Sequence, residues 1–376
     1  MTRLMGRRLC LAGGLALVVL GGVTRPAAAI PAFARREGVE CASCHSVPPA
    51  LNSAGRLYLR NGYRFSAEGA RLRDWVKQLP ASVQVNSAAG FTKSQISAHL
   101  TTAHYYAAGA VNRNVAGWID GTISGIGLAE SGERNRFFAV LGSPARDGWR
   151  LRVGDFDPPF DNKPSSSLGV SAPAIYFLGS AANGYALGQV QRGAEAAYVG
   201  REWSLGVFGG KGRRIGFTGN ANGDSFGDWA GWAEYRPPAA PWQVTGYVYL
   251  GRLSTFVPTR IYEEKMGQAL LAGRVWGRDW EALVGAAYGH HRNPAGDGVG
   301  RTSRGLYLEG RWFPREQTAL FGRLDRIDRD SAKGEVTSFT LGLSRQWQHL
   351  PIRATAETTV TDDGDTRTDA ALQFFF

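Results

Sequence analysis

The sequence is poor in cysteine, in charged residues and in long apolar runs. Only three of its 376 residues are Cys, which excludes a scaffold held together by several disulfides. Charged residues make up 20% and aromatic residues 11%, a balance that argues against intrinsic disorder. Beyond residues 1–29, no apolar stretch approaches the roughly 20 residues of a transmembrane helix. A membrane-embedded form of this chain would therefore be a β-barrel.

Glycine and tryptophan, in contrast, are plentiful. The chain has 50 Gly and 11 Trp, and each Gly inside a helix costs roughly 1 kcal/mol relative to Ala. This composition disfavours a helical bundle and favours a large antiparallel β-protein. The formal charge is +11, and without the four Arg residues of an N-terminal leader, 39 basic residues face 32 acidic ones. The basic residues are scattered, so we expect no nucleic-acid partner.

Residues 1–29 have the three parts of a secretory signal peptide. A basic start lies in residues 3–8, an apolar run in residues 9–23 and a small-residue cleavage site in residues 27–29. The apolar run is too short to cross a bilayer as a helix. We therefore expect the mature chain to begin at Ile30 and to function outside the cytoplasm.

A short motif, Cys41-Ala42-Ser43-Cys44-His45, reads C-x-x-C-H, the attachment signature of c-type haem. Positions i, i+3 and i+4 share one face of a helical turn, which predicts that both thiols and the imidazole point the same way. The thiols of Cys41 and Cys44 could then form thioethers to a haem while His45 reaches the iron. The alternative is a redox CxxC pair followed by an unrelated His. Export favours one covalent haem c, because haem c is attached outside the cytoplasm.

The flanks of the motif predict a small helical head. Residues 31–37 can form a short helix that Gly38 stops. Leu51, Ala54, Leu57 and Tyr58 recur at helical spacing before Asn61-Gly62 ends the pattern, and we expect their apolar face to pack on the porphyrin. We assign residues 30–79 to a monohaem cytochrome c domain. It is too short to bury an ordinary core, so we expect it to fold against or inside the domain that follows.

Residues 80–376 predict a transmembrane antiparallel β-barrel of about 16 strands, which makes the chain all-β with a small N-terminal α-helical haem plug. Apolar and polar residues alternate with the strand period of two. One face carries Trp280, Ala282, Val284, Ala286, Tyr288, Leu306, Leu308, Gly310, Trp312, Phe339, Leu341 and Leu343, and the other Glu281, Glu309, Arg311, Ser338 and Thr340. The alternative is a soluble secreted β-protein.

Short turns and longer polar connections alternate along this domain, as they do in outer-membrane barrels. Short turns are predicted near Asn112-Arg113, Ala145-Arg146, Gly200-Arg201, Pro237–Pro241, Gly277-Arg278, Pro314-Arg315 and Gln348-His349, and long connections at 211–225, 253–265, 291–303 and 329–334. This pattern places both termini on the periplasmic side, and the terminal Phe376 is typical of an outer-membrane assembly signal. The long connection Asp155–Tyr185 could fold inward or stay outside.

The head resembles that of the fused monohaem cytochrome–porins, whose best-known members are outer-membrane iron-oxidising cytochromes. The matching residues are Ile30–Arg35, Gly38, Cys41–His45, Pro49–Asn52, Gly55-Arg56 and Asn61–Tyr63. The resemblance covers the order of leader, haem head, barrel and terminal Phe. It implies electron transfer from an extracellular donor, reduced iron, through the haem to a periplasmic c-type cytochrome or another carrier. Ala54 departs from the Phe common in that family, which leaves the subfamily open.

Several residues could complete the haem site. His99 is our first choice as distal iron ligand because its strand parity points it into the lumen, with His104 and Met266 as alternatives, and water or an open site as a further one. Arg can bind haem propionates bidentately, and Arg35, Arg36, Arg56 and Arg60 are candidates, although all could be solvated helix residues.

Further polar residues are expected along the barrel wall. We interpret Glu309, Arg311, Arg323 and Asp325 as lumen-lining pairs, with an ion path as the alternative. His290-His291 near an outer loop could bind a metal ion, but an exposed loop is the simpler interpretation.

Three functions are compatible with these features. The first is an outer-membrane electron conduit, which could act as an iron oxidase. The second is a redox-gated or haem-sensing porin. The third is a haem peroxidase, which would need an open iron position and a distal acid–base residue such as His99. No G-x-S-x-G motif, P-loop or second metal constellation supports other catalysis.

Overall fold

The computed structural model describes the chain in segments. They comprise residues 37–64, 81–92, 95–112, 114–123, 136–142, 147–160, 167–179, 186–188, 190–212, 227–257, 260–315, 317–329, 334–347 and 352–375. The leader, Arg35, Arg36, most of the first predicted helix and Phe376 lie outside these residues. In the described part of the chain, no helix is both long enough and apolar enough to cross a membrane.

Sixteen antiparallel strands form a closed barrel, as the period-two pattern predicted. Each strand of the barrel pairs with the next in the chain, and the last pairs with the first to close the cylinder. The labels begin at β3 because two short strands, β1 and β2, precede the barrel. The barrel strands are β3 (Ala81–Thr92), β4 (Ile96–Ala110), β5 (Val115–Ile123), β6 (Arg136–Leu141), β7 (Gly148–Phe156), β8 (Gln191–Val199), β9 (Trp203–Gly212), β10 (Asp228–Tyr235), β11 (Trp242–Val257), β12 (Arg260–Trp276), β13 (Trp280–His291), β14 (Arg301–Arg315), β15 (Thr318–Asp328), β16 (Glu335–Gln346), β17 (Ile352–Thr361) and β18 (Thr366–Phe375).

The outer surface of the barrel is apolar, as predicted. On β13, Trp280, Val284 and Tyr288 are about half exposed, whereas Glu281 and Leu283 between them are buried on the inward side. Exposed aromatic residues collect at both ends of the strands: Trp149, Trp203, Trp242, Trp280 and Trp312 at one end, and Phe91, Phe137, Trp229, Tyr288 and Phe339 toward the other. Two aromatic girdles flanking an apolar band are the surface pattern of a barrel in a bilayer.

The two ends of the barrel differ in their connections. At one end, which we call the turn end, short turns join β4 to β5, β8 to β9, β10 to β11, β12 to β13 and β14 to β15 at or within two residues of the predicted positions. The predicted turns at 112–113, 145–146 and 348–349 include residues outside the described part. Ala81 and Phe375 also lie at the turn end, so the barrel begins and finishes there.

One predicted long loop is wrong. Residues 253–265 belong almost entirely to β11 and β12, which stay paired from Trp242↔Val275 to Val257↔Arg260. Their polar side chains pair with each other, as in Arg252–Glu263 with an N–O distance of 2.8 Å. Cross-strand charge pairs of this kind allow a hairpin to continue beyond the apolar band. The polar residues at 253–265 therefore belong to strands and not to a loop.

The chain between β7 and β8 folds into the lumen, which decides the question that the sequence left open. We call its described residues, 157–160, 167–179, 186–188 and 190, the inner segment. The backbone N–H groups of Val170 and Ser171 both donate to the carboxylate of Glu357, each over 2.8 Å. Ala174 N donates to Asp325 Oδ1 over 2.9 Å, and Tyr176 is fully buried. The described part of the inner segment therefore lies inside the barrel, where it is bonded to β15 and β17.

The described head, residues 37–64, has one regular helix, α1 (Ser53–Arg60), which confirms the predicted helix except that Leu51 precedes it in a short strand and Ala54 is exposed. Asn52 caps it by accepting Gly55 N over 3.0 Å, and Asn61 ends it before Gly62, whose φ of 68° suits glycine. Gly38 has a φ of 67°, the left-handed conformation expected where a helix stops.

The haem-type motif itself is not one helical turn, which corrects the sequence prediction. A 3₁₀ turn covers Cys41–Ser43, and His45 begins a short strand, β1 (His45–Val47), that pairs with β2 (Ala50–Leu51). Pro48 holds the preceding residue, Val47, in an extended conformation, which favours a strand over His45–Val47 in place of a helix. Cys44 and His45 are thus adjacent on a turn and an extended strand.

The head lies inside the barrel at the turn end, in contact with strands from all sides. This agrees with the expectation that it folds inside the β-domain. The contacts are Tyr63–Trp118 of β5, with ring centroids 4.5 Å apart, Asn61–Arg150 of β7 at 3.2 Å, Arg60–Glu234 of β10 at 3.0 Å, Leu51–Arg274 of β12 at 2.9 Å and Pro48–Arg353 of β17 at 2.7 Å.

The ion pair between Arg60 and Glu234 is expected to hold the head in place. Both side chains are at least 90% buried, and Arg60 also lies over the Trp232 ring, 4.7 Å from its centroid. Removing one partner of a buried pair leaves an uncompensated charge. We expect Arg60→Ala to weaken docking of the head by about 2 kcal/mol, which would raise proteolysis of residues 37–64 about thirtyfold.

Limited proteolysis of folded protein in detergent measures this effect. Arg326→Ala is the matched control, because Arg326 pairs with Glu335 on the exposed surface, far from the head. We expect the control to be cleaved like the parent. Equal cleavage of the Arg60→Ala variant and the parent would show that the Arg60–Glu234 pair does not anchor the head.

Candidate functional site

The motif loop is fixed to helix α1 through Asn52. The Asn52 side-chain amide donates to the carbonyl oxygens of Ala42 and Ser43, over 3.1 and 3.2 Å, and Asn52 N donates to Cys44 O over 2.9 Å. Helix α1 lies so close to this loop that a Cβ built on Gly55 would be 2.0 Å from Cys44 O. Only glycine fits there, so the Gly55 position and the motif are one structural unit.

His45 has the chemistry of a neutral metal ligand. Burial lowers the pKa of its imidazole to about 4, although hydrogen bonding to the backbone of Pro49 and Ala50 opposes the shift. The ring is therefore uncharged at neutral pH, the form in which histidine binds a metal. Its Nδ1 atom is buried with no hydrogen-bond partner among the described residues. The adjacent Cys44 is half-buried, and the Cys41 side chain is not among those described.

The described side chains of Cys44 and His45 fit a covalently attached haem. A haem c needs two thiols and an imidazole nitrogen with an open lone pair, and a buried ring nitrogen without a partner meets the last requirement. The described residues contain no group of three or more His, Cys, Asp and Glu side chains that could hold an ion.

The three predicted distal ligands lie on strands away from the motif. Met266 is eight residues along β12 from Arg274, the residue that binds the head, which is about 26 Å at 3.3 Å per residue. His99 lies in β4 opposite Ala88 of β3, and its side chain is outside the described set. The pairing of β3 with β4 shifts register between Asn86 and Ser87 of β3. His99 lies on one side of this shift and most of β4 on the other.

His104 is the predicted ligand on the part of β4 that approaches the head. It shares alternation with Ala108 and Ala110, which are buried, whereas Tyr105 is 42% exposed to the outside. His104 is four residues from Ala108, whose cross-strand partner Trp118 stacks on Tyr63 of the head, a distance of about 13 Å along the strand. Along their strands, Met266 and His104 thus lie about 26 and 13 Å from the residues that contact the head.

The arginine candidates of the head contact protein groups. Arg56 is buried and donates to Leu51 O over 2.8 Å and to Ser53 Oγ over 3.2 Å, while its guanidinium lies 5.4 Å from the centroid of the Trp276 ring. Arg60 pairs with Glu234, as described above. Neither is a solvated surface residue. Arg35 and Arg36 lie outside the described residues.

The predicted lumen charges form a continuous buried network that we call the charged ladder. Its members are Arg274, Glu281, Arg311, Glu309, Arg323 and Asp325. Arg311 bridges Glu281 at 2.6 Å and Glu309 at 2.5 Å, and Arg323 contacts Asp325 at 2.6 Å. Each residue is at most 7% exposed. The ladder has three charges of each sign and supports the prediction of paired wall residues.

His291 is buried, which corrects the expectation of an exposed pair at 290–291. Its Nε2 lies 3.3 Å from Ser303 Oγ and its Nδ1 3.6 Å from Glu264 Oε1, and His290 alone is exposed. Ser, His and Glu in this order suggest a hydrolytic triad, but all three side chains are fully buried and no substrate could reach them. Glu264 also accepts Asn293 N over 2.9 Å, so the group anchors the loop after β13.

Sequence reasoning missed several residues that surround the motif. Arg274 and Arg353 hold the carbonyl oxygens of Leu51 and Pro48, and Tyr63 stacks on Trp118. Arg353 stands in a strand with no local motif, and its partner is 305 residues away in the chain. The Asn61-Gly62-Tyr63 stretch was the one local signal near these contacts.

Comparison with solved structures supports the barrel. The anion-selective porin from Comamonas acidovorans matches with a TM-score of 0.58 and 11% identity, over 79% of this chain and 98% of that one. Salmonella typhi OmpF, solved with daunomycin, matches at 0.56 and 10%, over 79% and 97%. OmpT of Vibrio cholerae matches at 0.53 and 12%, over 79% and 96%.

These similarities define a porin-like 16-stranded barrel and, at such low identity, the fold alone. No protein-family model and no curated protein matches the sequence.

Proposed function

We propose that this protein is an outer-membrane electron conduit, with one haem c on a head that plugs a porin-like barrel. The observation that carries the proposal is the C-x-x-C-H motif, with a half-buried His45 whose Nδ1 atom is buried, inside the lumen of a barrel with an apolar surface. An electron carrier needs a shielded cofactor and no substrate pocket. In this proposal the extracellular donor is reduced iron and the acceptor a periplasmic c-type cytochrome.

The proposal orients the turn end toward the periplasm. Outer-membrane barrels have short periplasmic turns and longer external loops, and the barrel begins and finishes at its turn end. With this orientation the head faces the periplasmic carrier. The step to the acceptor is then short, and the step from the donor has to cross the lumen.

The residues of the chain perform three tasks in this proposal. Cys41 and Cys44 hold the haem, and His45 supplies its proximal nitrogen, kept neutral by burial. Asn52 and Gly55 fix the motif loop against helix α1. The head and the inner segment exclude solutes from the lumen. The bound haem would supply one-electron redox chemistry, and the protein tunes it through ligation, burial and hydrogen bonding.

A redox-gated porin is the second candidate, favoured by the similarity to porin folds. The filled lumen counts against free diffusion, because Tyr176, Tyr247, Tyr249 and Tyr307 are fully buried in it. Conductance in planar bilayers that changes with redox state would favour the gated porin over the conduit. A peroxidase would require turnover of peroxide at an open iron position.

A redox titration in intact outer membranes tests the conduit. We expect the wild-type protein to be coloured, to retain haem after denaturing electrophoresis, and to be reduced when Fe²⁺ is added from outside. Cys41→Ser with Cys44→Ser removes both thioethers, so we expect the haem to be lost from the denatured chain while the folded barrel persists.

Separate outcomes bear on separate parts of the proposal. A colourless wild-type protein would contradict the haem assignment. A coloured protein that Fe²⁺ does not reduce at any pH would remove iron as donor. A chain recovered without detergent in the periplasmic fraction would remove the membrane assignment.

A further inference from the structure

Among the described residues, a buried arginine next to the motif has no charged partner. Arg353 is 5% exposed, and its Nη1 donates to Pro48 O over 2.7 Å. Its Nε is buried without a hydrogen-bond partner among the described residues. The neighbouring Arg274 differs, because it pairs with Glu281 as well as binding the head.

The surroundings of Arg353 contain no available carboxylate in the described part of the chain. Its cross-strand neighbours are Gln346 of β16 and Gln373 of β18, both uncharged. Glu357, four residues along the same inward face of β17, is engaged by Val170 N and Ser171 N of the inner segment. A guanidinium taken out of water without an anion is costly by several kcal/mol. Such a site is complete only when an anion binds there.

The location of Arg353 identifies the chemistry of that anion. Its contact residue Pro48 is three positions after His45 in the chain. The missing anion therefore lies beside the residue that would bind the haem iron. Haem carries two propionate carboxylates, and the planar fork of Arg binds a carboxylate through two parallel hydrogen bonds.

We propose that Arg353, on the barrel wall, is the counter-ion of a haem propionate and positions the haem against the head. This inference rests on the proposed function, because it needs a haem at Cys41, Cys44 and His45. It makes the haem site composite, with thiols and imidazole from the head and the propionate partner from β17. Arg353 is a positioning residue, since it touches the edge of the cofactor and not the iron.

The experiment compares Arg353→Gln, Arg353→Lys and the wild type as full-length, haem-loaded protein in detergent. Loss of a buried positive charge beside the haem disfavours the reduced state. We expect Arg353→Gln to lower the equilibrium constant for reduction about tenfold, which corresponds to 59 mV for a one-electron couple. Resonance Raman spectra should show a shifted propionate bending band. Arg353→Lys keeps the charge and should retain most of the potential, with an altered band.

Two controls separate this role from a structural one. Arg278→Gln removes a fully exposed charge at a turn, and we expect no change in potential or spectrum. Arg353→Gln in a Cys41→Ser, Cys44→Ser background measures the stability of the protein without covalent haem. We expect little loss of stability there, because the anion is absent in both proteins.

The outcomes divide as follows. An unchanged propionate band in Arg353→Gln overturns the inference even if the potential moves, since the charge then acts from a distance. An equal loss of stability with and without haem overturns it too, because the partner is then a carboxylate of the protein or a free anion. In both cases haem remains attached and the conduit proposal stands. A wild-type protein without covalent haem overturns both proposals.

Discussion

Glu281→Gln is expected to destabilise the barrel by about 3 to 5 kcal/mol, because it leaves buried cations without their shared carboxylate. Glu281 is 2% exposed and joins Arg274 to Arg311 in the charged ladder. The amide of Gln presents N–H donors to guanidinium groups that are donors themselves. Arg311 keeps Glu309, so the main loss falls on Arg274 and on its contact with the head. Urea unfolding of purified protein in detergent, followed by gel migration of unheated samples, measures the change.

Glu335→Gln is the matched control for this experiment. Glu335 pairs with Arg326 at the surface, and exposed pairs contribute at most about 1 kcal/mol. If Glu281→Gln were as mild as the control, water would have to reach the ladder. The lumen would then be wet, which would favour the redox-gated porin over the sealed conduit.

Gly55→Ala is expected to separate helix α1 from the motif loop and to reduce covalent haem severely. The added Cβ would overlap the backbone of Cys44, 2.0 Å from its oxygen and 2.9 Å from its carbonyl carbon. A backbone atom cannot rotate away as a side chain can, so the cost will equal or exceed the roughly 1–3 kcal/mol of ordinary overpacking. Haem staining after denaturing electrophoresis, together with limited proteolysis of the head, measures the effect.

Ala54→Ser provides the control, because Ala54 is exposed on the same helix, one residue earlier. We expect it to retain haem and protease resistance. Normal haem content in the Gly55→Ala variant would show that α1 can shift without disturbing the motif. The close approach would then be unimportant for attachment.

Much of the barrel could be predicted from the sequence, because side-chain alternation is a local signal. Trp280, Glu281 and Val284 already differ in polarity along β13, so the face of each residue follows from its position. The region 253–265 was misassigned because polarity also occurs in strands that extend beyond the apolar band. The inward path of the inner segment depends on Glu357 and Asp325, which are far away in sequence, and no local pattern encodes it.

The candidate site was predictable only where its residues form a motif. Cys41, Cys44, His45 and helix α1 lie within 20 residues, and their spacing carries the chemistry. The helical turn expected at the motif was wrong because Pro48-Pro49 restricts the chain after it. Arg353 has no motif, and its importance follows from burial and from neighbours on β16 and β18 that only the barrel brings together.

The contact between Pro48 and Arg353 joins residues 305 positions apart. During secretion the head emerges early, whereas β17 is nearly the last strand to be made. If the head carries the proposed haem, its attachment to the nascent head can thus precede the folding of the strands that later enclose it. The enzymes that attach haem would then reach the head before it is covered. Pairing of β18 with β3 would afterwards enclose the attached haem. Long-range contacts of this kind form late and slowly. The hydrogen bond between Pro48 and Arg353 therefore forms after the head, when β17 takes its place in the barrel.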